Sequence, residues 1–141
     1  MERSPAIEDL VKTWFHAATT GDASVVDLRV SSEPGVRLIG SDPDEWLSGG
    51  EEIRTFLRGE VEGAAGAVMF SPADIEAYEE GSVGWATARL TITMPDGRWV
   101  SPRWSAVFRH EDDVWRFVQT HASVAVSNDQ VGWTYPERQA N

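Results

Sequence analysis

The sequence predicts an α+β fold, with helices first and a curved, antiparallel sheet last. Three observations carry this. The first thirty residues hold a capped helical pattern with apolar residues three and four apart. The last third alternates apolar and polar residues through two tight turns. Between them the order of elements reads ααβαββββ, which segregates helices from strands instead of interleaving them.

The first helix starts at Ser4-Pro5, with Ser as the cap, Pro in the first turn, and Glu8 and Asp9 near the positive end of the helix dipole. Ile7, Leu10, Val11, Trp14, Phe15 and Ala18 form its apolar stripe, and Gly21 ends it. Asp22 caps a short second helix near residues 23–30. Glu33-Pro34-Gly35 turns the chain into a strand at 36–40, and residues 41–50 form a loop. A third helix covers about 50–62, with Ile53, Phe56, Leu57 and Val61 inward. A strand follows at 68–78, broken near Ser71-Pro72, then strands at 83–94, 99–110 and 114–126. The tail from Ser127, with Trp133 and Tyr135, shows no period. Residues 1–141 are expected to form one domain, with its core at about 5–126 and a tail at 127–141.

The turns set the expected registers. Asp96-Gly97 reads as a two-residue hairpin loop, pairing Pro95 with Arg98, Arg89 with Trp104 and Trp85 with Phe108. A loop at Asp112-Asp113 pairs Phe108 with Phe117 and Trp104 with His121. One face then carries Trp85, Thr87, Arg89, Trp104, Ala106, Phe108, Trp115, Phe117, Gln119 and His121, aromatic at one end and polar at the other. Such a face forms one wall of a small-molecule pocket. The opposite face carries Ala86, Ala88, Leu90, Ile92, Arg103, Ser105, Val107, Val118, Thr120, Ala122 and Val124. It stays open to water unless a partner covers it, so a homodimer through this outer face is expected.

Composition narrows the function. A net charge of −11 leaves no basic stripe for nucleic acid and no attraction to anionic membranes. The chain has one lysine, Lys12; its other basic residues are arginines. No cysteine means no disulfide, thiolate nucleophile or cysteine metal site. His16, His110 and His121 have no metal-ligand spacing, and no phosphate loop, dinucleotide fingerprint or nucleophile elbow occurs, so neither metal nor cofactor is expected. No run reaches the ~20 apolar residues of a membrane span, and residues 1–10 lack a leader's apolar run, which points to the cytoplasm.

Two segments resemble a known family. Gly40-Ser41-Asp42-Pro43-Asp44-Glu45-Trp46-Leu47-Ser48-Gly49 resembles the Gly-Thr-Asp-Pro-x-Glu-Trp run of bacterial SnoaL-like proteins. Arg103-Trp104-Ser105, followed by Trp115 to Val124, resembles their last hairpin. The resemblance spans about residues 5–126 and implies the cone-shaped fold of the nuclear transport factor 2-like superfamily, with N-terminal helices in the concave face of the sheet. That fold hosts isomerases, cyclases, dehydratases and non-catalytic binders. Against the steroid isomerases of the superfamily, the catalytic Tyr falls on Trp14, the Asp-Pro base resembles Asp42-Pro43, and the late-strand acid falls near Ser105 or Ala106, neither a carboxylate. A pocket arginine of the kinase association domain resembles Arg89, while a second falls on Ala106.

The candidate catalytic residues are therefore Asp42, as a base or as the head of an Asx turn, and His121, as acid or base or as an orienting core histidine. Glu45 is a substitute base or a solvated loop charge. Arg89 anchors an anionic ligand oxygen or pairs with Asp74 or Glu76. Trp14, Glu45, Trp46, Trp85, Arg89, Trp104, Phe108 and Gln119 are the expected ligand contacts. Two functions follow from this: a cofactor-free enzyme acting on an apolar, oxygenated metabolite by isomerisation, cyclisation or dehydration, or a non-catalytic ligand-binding or dimeric assembly domain.

Overall fold

The computed structural model describes residues 1–133 and 136; Tyr135 lies outside them. Among the described residues, eight strands and three helices follow in chain order: β1 (Glu2–Arg3), α1 (Pro5–Thr20), α2 (Ser24–Arg29), β2 (Arg37–Ile39), β3 (Trp46–Ser48), α3 (Gly50–Ala64), β4 (Met69–Glu80), β5 (Val83–Thr93), β6 (Trp99–Val100), β7 (Arg103–Glu111) and β8 (Val114–Ser123). The sheet runs β1-β4-β5-β7-β8-β2-β3, with β6 pairing β5. Its pairs are antiparallel except β2 with β8. Helices lie on one side of this curved sheet, as the element order predicts.

α1 forms as its caps dictate. The Ser4 hydroxyl accepts the Ile7 N–H at 3.2 Å and donates to Glu79 at 2.5 Å, which ties the helix start to β4. Gly21 closes the helix in the left-handed region, its N–H donating to the Ala17 carbonyl. The stripe Ile7, Leu10, Val11, Trp14 and Phe15 is buried against the sheet. The Trp14 ring lies 4.4 Å from Phe117, and Phe15 meets Trp104 edge-on at 5.1 Å. Among the short elements, β1 and β3 have no counterpart in the expected order. Two or three residues of strand leave too little alternation to read.

The first hairpin corrects the expected register by one residue. Pro95 has no N–H, so it cannot supply the second hydrogen bond of the pair that closes a two-residue loop. Closure moves outward: Met94 donates to the Arg98 carbonyl at 2.8 Å, and Gly97 donates back to Met94 at 2.9 Å. The loop is then Pro95-Asp96-Gly97, with Gly97 at φ 88° taking the left-handed position of a three-residue hairpin. The shift carries along β5. Arg89 pairs with Arg103, Ala88 with Trp104, and Gly84 with Phe108. A one-residue shift exchanges the two faces of a strand.

The second hairpin closes as expected. Asp112 and Asp113 both have positive φ, 50° and 65°, and Phe108 pairs with Phe117. A bulge then follows between Val107 and Phe108, and beyond it Ser105 faces His121 and Trp104 faces Ala122. The expected break in β4 is also displaced. Pro72 pairs in register with Leu90, and the irregularity falls at Asp74-Ile75, where Asp74 takes φ 51°.

Candidate functional site

These two shifts decide which side chains meet. The inner face, toward the helices, carries Ala86, Ala88 and Leu90 of β5, Trp104, Ala106 and Phe108 of β7, and Trp115 and Phe117 of β8, all buried. Beyond the bulge Thr120 and Ala122 continue it. The outer face carries Trp85, Thr87 and Arg89; Arg103, Ser105 and Val107; and Gln119, His121 and Ser123. Both faces expected from the sequence are thus half exchanged. Trp104, Phe108, Trp115 and Phe117 point inward as expected. Trp85, Arg89, Gln119 and His121 point outward.

Each face has a depression. The inner one is a cavity of about 380 Å³ between α1, α2, α3 and the sheet. α1 contributes Trp14, Phe15 and Ala18, and α3 contributes Phe56, Leu57, Val61 and Ala64. Phe70, Leu90, Ile92, Trp104 and Ala122 form the sheet wall. Its polar groups are few: Ser41, Thr120 and the carboxylates Glu45 and Glu60.

Glu45 reaches this wall because the loop before β3 folds back on β2. Gly40 donates its N–H to the Glu45 carbonyl at 2.8 Å, and Glu45 donates to the Asp42 carbonyl at 2.9 Å. The Glu45 carboxyl lies over Gly40, so closely that a Cβ at position 40 would overlap it. Burial pushes this carboxyl above the usual carboxylate range. An N–H from Asp42 draws it back, the charges of Glu60 and Asp42 raise it again, and the net shift is upward. Glu60 stands on α3 at the cavity wall, one turn after Phe56 and Leu57. Sequence reasoning missed it, although the spacing was a usable signal: positions 56, 57 and 60 share one face of a helix.

The outer depression is a broad trough of about 960 Å³, lined by Arg3, Asp74, Glu76, Arg89, Arg103, Ser105 and His121 among others. It is the larger of the two, and its walls mix charged side chains with neutral ones such as Ile75, Thr87 and Ser105. The Arg89 side chain is 84% exposed and lies 3.6 Å from Asp74. Arg3 sits over the Tyr78 ring, which stacks on Trp85.

The expected site residues therefore divide. Trp14, Glu45 and Trp104 line the inner cavity together. Phe108 is wholly buried at 0% exposure, packed on Phe117 at 4.6 Å, and belongs to the core below the cavity. Arg89 and His121 share the outer trough, away from the helices, because of the three-residue loop and the bulge. Trp85 and Gln119 lie on the same outer face. Trp46 is 63% exposed beneath the Arg37 guanidinium at 5.4 Å, since β3 turns Leu47 inward instead. Asp42 stays on the exposed loop outside the cavity lining.

A curved sheet closed on one side by helices, with an apolar cavity between them, defines the class: an α+β cone fold with an interior cavity. The chain belongs to the SnoaL-like domain family, whose model matches residues 7–127. Solved structures agree on the fold. A nuclear transport factor 2-like protein of unknown function from Pseudomonas putida has a TM-score of 0.78 at 13% identity, covering 96% of this chain and 99% of its own. An uncharacterised protein with a cystatin-like fold from Caulobacter vibrioides scores 0.70 at 19% identity, with coverage of 90% and 92%. A candidate dehydratase from the nuclear transport factor 2-like family of Streptomyces avermitilis scores 0.66 at 19% identity, covering 86% and 96%. No curated protein matches the chain. Among the described residues no helix is long and apolar enough to cross a membrane.

Proposed function

We propose that this protein binds a small, mostly apolar molecule in the inner cavity. The cavity carries the proposal: about 380 Å³ with apolar walls and a few polar groups at defined places. That is within the size range of small-ligand pockets, about 300–1,000 Å³. The outer trough is larger, but its lining is as polar as it is apolar, whereas the inner cavity's is mostly apolar.

Within the cavity Glu45 is the group suited to proton transfer. It replaces Asp42 and His121 in that role, because it stands on the wall and its carboxyl holds a proton more readily than a solvated one. An isomerase, cyclase or dehydratase activity would use it as acid or base. A non-catalytic binder would use it only to orient the ligand. The Streptomyces relative supports the enzyme reading by analogy of fold alone.

The test is isothermal titration with a neutral probe, 1-naphthalenemethanol. Ala18 faces the cavity from α1, so Ala18→Phe fills the space without breaking the helix. Binding by the natural protein and its loss in Ala18→Phe are expected. Equal binding by both would place the ligand elsewhere.

A homodimer through the outer sheet face is the second part of the proposal, on the corrected set of residues. Trp85, Val107 and Trp46 share that face with charges of both signs, Arg89 and Arg103 against Asp74 and Glu76. A two-fold contact can set such a surface against itself.

A further inference from the structure

We infer that the inner cavity is built for a ligand whose polar end is a cation: an apolar molecule carrying an amine. The inference rests on the cavity reading above and adds the sign of the charge. Acids alone would mean little on a chain of net charge −11. Their placement gives them meaning.

Among the described residues lining the cavity the two carboxylates, Glu45 and Glu60, are the only charged side chains. Neither takes part in an ion pair among the described residues. The cations nearby in the chain are committed elsewhere. On α3, Arg58 pairs with Asp27 and Glu62, and Arg54 donates to the Val30 carbonyl. On β2, Arg37 turns outward over Trp46. Among the described residues the polar end of the cavity is thus net negative with no counter-ion of its own. The upward shift of Glu45 records the same imbalance: burial without a cation, and like charges close by.

Glu45 is half-buried and Glu60 exposed, so water screens part of their charge, yet beside the apolar wall the sign of an incoming group still matters. A carboxylate or phosphate would meet two carboxylates there. A neutral hydroxyl would gain one ordinary hydrogen bond. An ammonium would donate charge-assisted bonds to Glu45 or Glu60 while its hydrocarbon body lies among Trp14, Phe56 and Trp104.

Three probes that share a naphthalene body separate these cases: 1-naphthylmethylamine, 1-naphthalenemethanol and 1-naphthoate, titrated calorimetrically into the full chain at pH 7. The amine is expected to bind about tenfold or more tighter than the carboxylate, with the alcohol between them. In Glu45→Gln/Glu60→Gln the amine loses its advantage and the alcohol stays within about twofold. Glu51→Gln/Glu52→Gln, exposed on the first turn of α3, keeps the advantage; if that pair removes it equally, bulk charge attraction explains the preference and the inference falls. A carboxylate that binds as well as the amine, or a preference that survives loss of Glu45 and Glu60, overturns the inference and leaves the cavity reading standing. Failure of all three probes overturns both. Should the double variant not fold, the ranking on the natural protein decides alone.

Discussion

Glu45 shows how one residue position ties chain geometry to chemistry. Its backbone is fixed by hydrogen bonds to Gly40 and Asp42, and its carboxyl occupies space that any side chain at position 40 would fill. Because its folded pKa is raised, the native state holds this proton more tightly than the unfolded chain does. Its contribution to stability is therefore favourable at low pH and fades as pH rises through the ordinary carboxylate value. Glu45→Gln should gain relative to the natural protein between about pH 4 and pH 7. Urea midpoints of both across that range check this; a natural protein that gains on the variant as pH rises would contradict it. Glu111 has the opposite sign. Burial pushes it up, but the Ser31 hydroxyl and the Arg109 and Arg116 charges outweigh burial and bring it below the usual range. Its stabilisation is present above the ordinary carboxylate value and is lost on acidification. Arg109 lies 3.2 Å from it.

At the scale of elements, helices were legible and strand faces only partly so. α1 follows from its cap and period and α3 from its period: α1 buries Ile7, Leu10, Val11, Trp14 and Phe15, and α3 buries Ile53 with Phe56, Leu57 and Val61 half-buried. The second hairpin followed from Asp112-Asp113. The first did not, because Asp96-Gly97 is a strong turn signal whose usual closure Pro95 forbids. Loop length then decided which way Arg89 points. The bulge near Phe108 left no mark in the alternation, and it moved His121 to the outer face. Within the site, Trp14, Glu45 and Trp104 were legible from helix period, loop motif and strand position. Arg89, Gln119 and His121 were misplaced because a face assignment inherits every error in register. Two substitutions check these elements. Asp113→Gly relieves a left-handed residue at φ 65° and should stabilise the protein by about 1 kcal/mol. Phe117→Ala removes a ring packed against Trp14, Phe108 and Trp104 and should cost about 3–5 kcal/mol. Denaturant midpoints measure both. A loss of stability in Asp113→Gly would mean that the loop does not take the two-residue form, and a loss under about 1 kcal/mol in Phe117→Ala would place that ring outside the core.

For the whole molecule, the sheet separates two surfaces of different character. The concave side is apolar and covered by helices. The outer side holds Trp85, Tyr78 and Trp46 among arginines and acids. A dimer through this outer side would leave the inner cavity unobstructed. Trp85→Glu places a charge at the centre of that face, opposite Val107. Sedimentation of the natural protein at tens of micromolar should show a dimer, and Trp85→Glu should shift it to monomer. A natural protein that sediments only as monomer would remove the dimer from the account and leave the cavity untouched.

The central claim is that ligand enters the space between α1, α3 and the inner face of the sheet. Backbone amide NMR during titration with 1-naphthalenemethanol tests it most directly, because, Trp104 apart, the two depressions are lined by different residues. The account predicts saturable shifts concentrated at Ala18, Val61, Ala64, Leu90, Thr120 and Ala122. Shifts concentrated instead at Thr87, Arg89, Arg103, Ser105 and His121 would place the ligand in the outer trough and contradict it.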